Sequence, residues 1–282
     1  MKKQGTENES CGLDTKEILD DLHPQVLQII TKANEIFIKG YASCKKIMWK
    51  GESQLSTSVL TDTDLVLDHY LREQLAIAFP NVGCISEEQE KGPQAKRTWI
   101  IDPLDGSANF ANKIPITGIS IALWEKGKPI YGILSFPLEN EIIHAAYKKG
   151  VFYNGKQISF PSFHLPPHLH SLFTGVGRDK DKLNVIRGMI KVVPLPNNYQ
   201  SASFHFKALA LRRAQCGVFM NLPIWDIAAG VLITKEAGLS SIYINKLSVN
   251  NSNLRNNRYT VVVGSRDITL RVSRQIKEFL PQ

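Results

Sequence analysis

The sequence predicts a layered fold of α-helices and β-sheets, and three observations favour it. Two long amphipathic helices are predicted near the start of the chain. Five short apolar strands follow them, and helices and strands then alternate through the second half. Elements of these two kinds bury their apolar faces against one another in stacked layers.

The two predicted helices come first in the chain. The first covers residues 23 to about 46, and its apolar residues recur at helical spacing: Val26, Leu27, Ile30, Ala33 and Phe37. The second covers residues 64 to about 79, with Thr63 as its N-cap and Pro80 as the residue that ends it. Asp64 therefore falls in the first turn, where the helix dipole favours a carboxylate.

The elements after these helices are predicted from short apolar segments separated by turn residues. Five strands are expected at residues 82–86, 98–102, 118–124, 130–136 and 142–147, and Asn154-Gly155 is a hairpin signal. A basic, proline-containing segment from about residue 160 to 170 predicts a connection between two halves. Beyond it we expect strands at 172–175, 217–220 and 259–263, and helices at 181–191, 203–214, 225–237 and 267–279.

The composition is that of an ordinary globular chain. Of its 282 residues, 43% are apolar and 21% are charged, which suits one large domain or two small ones. No stretch of about 18 apolar residues occurs, so no transmembrane helix and no membrane partner are expected. The cysteines lack C-x-x-C spacing, which favours a reduced, cytoplasmic protein: Cys11, Cys44, Cys84 and Cys216.

The chain divides into three expected parts. Residues 1–21 are polar and lack the apolar core of a signal peptide, so we expect a disordered N-terminal segment. Residues 22–158 are expected to form an α+β half, and residues 159–282 an α/β half. Residues 1–150 hold 17 basic and 20 acidic side chains, a net charge of −3, whereas residues 151–282 hold 17 and 6, a net charge of +11. The basic half suits attraction of anionic substrates, contact with nucleic acid, or a simple basic surface.

The clearest chemical signal is the segment W-I-I-D-P-L-D-G-S-A-N-F at residues 99–110. An apolar strand runs directly into two carboxylates, Asp102 and Asp105, and a Gly-Ser step that can open a helix follows. Carboxylate oxygens are ligands that Mg²⁺ prefers, and free N–H groups of Gly106 and Ser107 at a helix N-terminus attract a phosphate. Asp-Pro and Asp-Gly are also common turn formers, so this segment alone leaves a surface turn open.

Three further acidic segments accompany it: T-D-T-D at residues 61–64, I-S-E-E at 85–88, and W-D-I-A-A-G at 225–230 with E-A-G at 236–238. In this order the four segments resemble T-x-x-D, G-E-E, D-P-[IL]-D-G-[TS]-x-N-F and W-D-x-A-A-G…E-A-G. These are signatures of the inositol monophosphatase family of metal-dependent phosphatases. The resemblance covers residues from about 60 to 240, whereas no nucleophile elbow, P-loop or Rossmann fingerprint occurs in the sequence.

The resemblance implies the layered αβαβα sandwich of the inositol monophosphatase and fructose bisphosphatase type. It also implies two or three Mg²⁺ ions, a homodimer and inhibition by lithium. Glu87, Asp102 and the backbone carbonyl of Leu104 resemble the ligands of the first ion. Asp102, Asp105 and Asp226 resemble those of the second, and Glu87 resembles a contact to a third through water. The first half would then carry most ligands, with Asp226 of the second half completing the site.

The same resemblance assigns catalytic roles to Glu87, Asp64 and Ser107. Asp64 resembles the residue that, with the threonine of the usual D-G-T, orients and deprotonates the attacking water. Ser107 replaces that threonine; it keeps the hydroxyl but loses the methyl group that restricts its rotamer. The N–H groups of Gly106 and Ser107 are expected to bind the phosphate.

The substrate region departs from the family pattern. Bulky Phe204 and Phe206 stand where the family has small residues, which puts recognition of inositol phosphate in doubt. Asn221 and Lys207 are the polar candidates for substrate contacts. The sequence thus predicts a Mg²⁺-dependent phosphomonoesterase acting on a small phosphorylated metabolite such as an inositol or sugar phosphate. Bisphosphate nucleotidase and fructose-1,6-bisphosphatase activities remain alternatives. An alternative of another class is a protein that binds RNA or a transcription complex on a phosphatase scaffold.

Overall fold

A computed structural model of the chain describes residues 18–43, 47–49, 59–89, 95–160, 170–175, 179–244 and 254–279. One π-helical turn, Ile18–Leu22, precedes the first α-helix. The α-helices are α1 (His23–Ser43), α2 (Asp62–Ala78), α3 (Ser107–Ala111), α4 (Asp179–Ile190), α5 (Ala202–Ala210), α6 (Ile224–Glu236) and α7 (Arg266–Phe279). Residues 1–17 and 161–169, which include most of the expected N-terminal segment and connection, lie outside the described residues.

The strands form three sheets. They are β1 (Ile47–Trp49), β2 (Val59–Thr61), β3 (Gly83–Ser86), β4 (Arg97–Asp105), β5 (Gly118–Glu125), β6 (Lys128–Phe136), β7 (Glu141–Ala146), β8 (Val151–Tyr153), β9 (Lys156–Ile158), β10 (His170–Gly175), β11 (Ala214–Leu222), β12 (Ser240–Tyr243) and β13 (Tyr259–Gly264). β1 and β2 form an antiparallel ribbon. The seven-stranded sheet runs in the order β3 to β9, and the four-stranded sheet has the order β10-β11-β13-β12. Only β3 with β4 and β10 with β11 pair in parallel among these strands.

Helices α1 and α2 cover the outer face of the seven-stranded sheet. Side chains alternate between the faces of a strand, so Trp99 and Ile101 of β4 pack in the same cluster as Ile30 and Leu71 of the helices. Ile100, between them in sequence, belongs to a second cluster on the opposite face. The sheet is thus apolar on both faces, and each face is covered.

Helices α5 and α6 form the middle layer between the two large sheets. In the second cluster, Leu209 of α5 and Ile233 of α6 pack with Trp124 of the first sheet and Val261 of the second. Helices α4 and α7 cover the far face of the four-stranded sheet, where Val185 and Val272 pack with strand residues. The order is α-β-α-β-α, and the predicted layered sandwich is confirmed.

Several predicted boundaries shift, for identifiable reasons. The N-cap of α2 is Thr61 rather than Thr63, because the Thr61 hydroxyl accepts the N–H of Asp64 in a capping box. The helix predicted to reach Ala214 ends at Ala210, and Ala214 already starts β11. Arg212, with φ near +60°, makes the turn between them although it is not a glycine. None of the described helices has the length and apolar character needed to cross a membrane.

Candidate metal centre

The two carboxylates of the D-P-L-D segment lie at an irregularity of β4. Asp102 pairs with Ser120, whereas Asp105 pairs with Gly118, so β4 holds one residue more than its partner strand over this interval. In a regular strand, side chains three residues apart point to opposite faces. The extra residue is a β-bulge, and both carboxylates consequently reach the middle helical layer.

Three carboxylates from distant segments meet at this end of the sheet. Glu87 follows β3, Asp102 lies in β4 and Asp226 lies in the first turn of α6. One oxygen of each lies within 4.8 Å of the others, with Asp102 buried and the other two half-buried. Gathering like charges is unfavourable unless a cation offsets it, and three carboxylates are a donor set that suits a hard divalent ion such as Mg²⁺. The residues therefore fit the metal that the sequence predicts.

Asp105, which the resemblance assigns to the second ion, is not part of this group of three carboxylates. Hydrogen bonds from the start of α5 hold it instead. Its Oδ2 accepts hydrogen bonds from both hydroxyls of Ser201 and Ser203 and, at 2.7 Å, from the Ser203 N–H. From the described part of the chain, its Oδ1 accepts only the Ala202 N–H, at 3.1 Å. Burial raises the pKa of Asp105, and the four hydrogen bonds oppose that shift. The start of α5 is thus the immediate partner of this carboxylate.

Asp64 and Ser107 are in direct contact. Ser107 Oγ donates to Asp64 Oδ1 at 2.8 Å and also lies 2.9 Å from the carbonyl oxygen of Leu104. The other carboxylate oxygen of Asp64 accepts the N–H of Thr61 at 2.8 Å and the Thr61 hydroxyl at 2.5 Å. Both oxygens of this buried acid are therefore oriented by neighbours from two segments.

The clustered carboxylates, Asp105 and Ser107 line one pocket of about 250 Å³, and Asp64 lies behind Ser107 without lining it. Gly106 and Ser107 line it, and Gly106 has a φ of +82°, at which an added Cβ would lie 2.9 Å from the Ile116 carbonyl oxygen. Only glycine fits that turn without strain. The described residues around the pocket are Val59, Glu87, Asp102, Leu104, Asp105, Gly106, Ser107, Ala108, Thr174, Gly175, Lys182, Asn198, Gln200, Ala202, Leu222 and Asp226.

The two substrate contacts assigned from sequence, Lys207 and Asn221, do not line this pocket. The ammonium of Lys207 is 1% exposed and ion-paired with Glu139 and Glu141, so it is committed within the core. The N–H of Asn221 donates to Thr260 Oγ1 at 3.0 Å, within the second sheet. Neither residue is among those that line the pocket, and their substrate contacts stay predictions.

The bulk of Phe204 and Phe206 also lies away from the pocket. Phe206 is buried and stacks on Phe219, with ring centroids 3.9 Å apart. Phe204 packs edge-on against Phe136 and Tyr199. Neither ring lines the pocket, and the effect of these residues on recognition of inositol phosphate stays a prediction.

Sequence reasoning missed the residues that support the predicted acids. Thr61 was available from the T-x-x-D spacing, which is that of a capping box. Ser201 and Ser203 carry no comparable signal, because they meet Asp105 only after folding, across 96 and 98 residues of sequence. The polar pocket wall of Thr174, Lys182, Asn198 and Gln200 likewise comes from segments without a motif.

Comparison with known proteins matches this fold and these segments. The model of the inositol monophosphatase family matches residues 19–271. The chain is 30% identical over 224 residues to inositol monophosphatase 2 of Solanum lycopersicum, covering 75% of this chain and 83% of the relative. It is 25% identical over 222 residues to the Nus factor SuhB of Xylella fastidiosa, covering 73% of this chain and 80% of the relative.

A solved structure has the same fold. It is described as IMPase/NADP phosphatase complexed with Mg²⁺ and phosphate; its TM-score is 0.75 at 16% identity, and the match covers 91% of this chain and 95% of that chain. The family match extends over most of the chain and includes all four acidic segments. This chain is therefore a member of the inositol monophosphatase family.

Proposed function

We propose that the chain is a Mg²⁺-dependent phosphomonoesterase that hydrolyses a small phosphorylated polyol or sugar. The observation that carries the proposal is the convergence of Glu87, Asp102 and Asp226 within 4.8 Å of one another. These side chains come from three segments, and a protein without a bound cation gains nothing from gathering them in one place.

The proposed ligands divide between two ions. Glu87, Asp102 and the Leu104 carbonyl would hold the first, and Asp102, Asp226 and Asp105 the second. Oδ1 of Asp105 has a single N–H donor among the described residues and so keeps lone-pair capacity for a cation, while Oδ2 accepts three hydrogen bonds from Ser201 and Ser203. Bound Mg²⁺ supplies Lewis-acid chemistry, which lowers the pKa of water and neutralises phosphoryl charge. A third ion contacting Glu87 through water belongs to the same proposal.

Asp64 and Ser107 would handle the proton of the attacking water. Because Thr61 fixes one oxygen of Asp64, the other is held toward Ser107. A serine that donates to Asp64 presents its own lone pairs to a water in the pocket, and the carboxylate receives the proton that is released. Gly106 and Ser107 line the pocket on this side and would receive the phosphate through their N–H groups.

The pocket favours a small and hydrophilic substrate. A volume of about 250 Å³ is at the lower end for ligand sites. Asn198 and Gln200 offer amides, Thr174 a hydroxyl and Lys182 a cation, which suit sugar or polyol hydroxyls and a further anionic group. A fructose bisphosphate or a nucleotide bisphosphate would use Lys182 for that second group, so both alternatives remain substrates to be tested.

The test is phosphate release from a panel of such esters, with and without Mg²⁺. We expect Mg²⁺-dependent turnover of at least one polyol or sugar phosphate, inhibition by lithium, and loss of activity in Asp102→Asn and Asp105→Asn. Asp62→Asn is the matched control, because Asp62 is an exposed acid of α2. No turnover of any ester, or equal turnover by Asp102→Asn, would refute the proposal.

A second candidate is binding of RNA or of a transcription complex. It is favoured by the similarity to a relative named as a Nus factor and by the net charge of +11 on residues 151–282. Filter binding across a salt series tests it, because phosphate contacts give a steep dependence on salt. Binding with a steep salt slope that survives Asp102→Asn would establish a function independent of catalysis.

Two properties of the molecule complete the proposal. We infer from the family that the protein is a homodimer, which light scattering on the purified protein would test. The cysteines, which lack C-x-x-C spacing, support a cytoplasmic location, which fractionation of cells would test.

A further inference from the structure

We propose that Arg255 is a positioning residue for the metal centre, joining the segment that carries Glu87 to the helix that carries Asp226. The inference rests on the proposed metal site, because its test measures metal binding. It concerns a residue that lies outside the four acidic segments and does not line the 250 Å³ pocket.

Arg255 forms hydrogen bonds to the end of β3. One guanidinium nitrogen of Arg255 donates to the carbonyl oxygen of Ser86, and the other donates to that of Glu87 at 3.2 Å. The planar fork of an arginine suits two neighbouring acceptors in this way. Arg255 therefore fixes the backbone from which the Glu87 carboxylate projects.

Arg255 also forms a cation–π contact with the start of α6. The Arg255 guanidinium lies 5.3 Å from the ring centroid of Trp225, the residue that precedes Asp226. Trp225 is buried, so its ring is a rigid surface for the cation. One side chain thus contacts the neighbours of two of the three clustered carboxylates.

Further contacts hold both Arg255 and the backbone that it binds. Leu254, next to Arg255, is buried in the cluster of the middle layer. On the opposite side of β3, the Ser86 hydroxyl donates to Asp68, which Arg72 also contacts at 2.8 Å. The backbone at residues 86–87 is therefore held by Arg255 through its carbonyls and by α2 through the Ser86 side chain.

Arg258 provides a natural comparison. Its guanidinium also lies near Trp225, at 5.9 Å, but among the described residues it donates only to the carbonyls of Arg255 and Asn257, in its own turn. It shares the charge and the aromatic neighbour of Arg255 without the contacts to Ser86 and Glu87. Exchanging each arginine for lysine removes the fork and keeps the charge, so the pair separates positioning from electrostatics.

A role through charge and a role through positioning predict opposite changes in metal affinity for a neutral variant of Arg255. If Arg255 acted only through its charge, Arg255→Gln would remove a cation near the Glu87 carboxylate and tighten binding of a divalent ion. If Arg255 positions Glu87 relative to Asp226, the same variant weakens binding. Partners of metal ligands typically change metal affinity by about 10- to 100-fold when they are removed.

The experiment is a titration of the purified, metal-free protein with Mn²⁺, followed by electron paramagnetic resonance of the free ion. We expect Arg255→Lys and Arg255→Gln to raise the dissociation constant about tenfold or more, and Arg258→Lys to leave it within about twofold of the wild type. Circular dichroism establishes whether each variant is folded. If Arg255→Lys does not fold, the direction in which Arg255→Gln changes the Mn²⁺ dissociation constant distinguishes positioning from charge.

Two results would overturn the inference: Mn²⁺ binding by Arg255→Lys equal to that of the wild type, or tighter binding by Arg255→Gln. Failure of the proposed function looks different. In that case the wild type itself would bind Mn²⁺ no better than Asp102→Asn does.

Discussion

The backbone N–H of Ser203 donates to Oδ2 of Asp105 at 2.7 Å, and the hydroxyl of the same serine donates to the same oxygen. One residue of α5 thus supplies two of the four hydrogen bonds that the described residues donate to this buried carboxylate. A buried charge is tolerated only when such donors replace water. The contact also ties the middle helical layer to the bulged end of β4.

Removing this hydroxyl should destabilise the protein. We expect Ser203→Ala to lower the free energy of unfolding by about 2 kcal/mol, because a buried charged group loses a donor. Urea denaturation at neutral pH measures the change. Ser273→Ala is the control, since Ser273 is buried but its hydroxyl has no hydrogen-bond partner among the described residues. A loss of the same size in both variants would show that the contact to Asp105 has no special value.

The contact between Ser107 and Asp64 should matter for turnover rather than for stability. Ser107→Ala removes the hydroxyl that lies 2.8 Å from Asp64 Oδ1, and we expect kcat to fall about 100-fold with little change in KM. Ser107→Thr keeps the hydroxyl and restricts its rotamer, so its kcat should equal or exceed that of the wild type. Steady-state kinetics on the best ester of the panel decide the matter. A wild-type kcat in Ser107→Ala would show that the Ser107 hydroxyl takes no part in catalysis.

Gly230 of α6 should be intolerant of a methyl group. An added Cβ would lie 2.1 Å from ring atoms of Phe206, whereas helix propensity alone predicts that Gly230→Ala stabilises the helix by about 1 kcal/mol. We expect the overpacking to outweigh helix propensity, so that Gly230→Ala lowers the free energy of unfolding by about 3 kcal/mol. Urea denaturation measures this change.

The double variant Gly230→Ala with Phe206→Leu tests the cause. A smaller side chain at 206 leaves room for the methyl group, so the double variant should lose less stability than the two single changes combined. Strict additivity would indicate that the ring of Phe206 is not what opposes the methyl group.

Two buried histidines should make stability fall at mildly acidic pH. Burial lowers the pKa of both His144 and His205 to about 3. Between that value and the ordinary pKa of about 6.5, the unfolded chain takes up a proton that the folded chain does not. Stability is therefore full above about pH 6.5 and is lost as the pH falls toward 3. Each histidine should contribute about 1 kcal/mol of loss between pH 7 and 5.5.

His144→Phe isolates this effect from the titration of carboxylates. The ring stacks between His23 and Phe152, with centroids 3.9 and 4.9 Å away, so phenylalanine has a suitable shape. We expect the variant to lose about 1 kcal/mol less than the wild type over the same pH interval, measured by urea denaturation at both pH values. An identical pH dependence in the two proteins would contradict the assignment.

The sequence predicted the layers and the acidic segments because both depend on local patterns. Periodicity places α1, α2 and the strands β3 to β7, whereas the short β1 and β2 were not predicted, and the D-P-L-D segment lies at the end of an apolar strand as expected. The N-cap of α2 was predicted at Thr63, because T-D-T-D offers two threonines that each directly precede an aspartate. Only the hydrogen bonds of the folded chain select Thr61.

The remaining differences depend on contacts between distant residues. Lys207 looked like a cation available to a substrate, but Glu139 and Glu141 pair with it across 68 and 66 residues. Phe206 stands where the family has a small residue, and Gly230 leaves the space that its ring fills in the core. Neither partnership has a local signature, because each forms only when the middle layer packs between the two sheets.

The most direct test of the account is a crystal structure of the protein grown with Mn²⁺ and inorganic phosphate, with anomalous scattering used to locate the metal. We expect a peak at coordination distance from oxygens of Glu87, Asp102 and Asp226, with phosphate beside Gly106 and Ser107. The absence of a peak at saturating Mn²⁺, with these three carboxylates turned away from one another, would contradict the account.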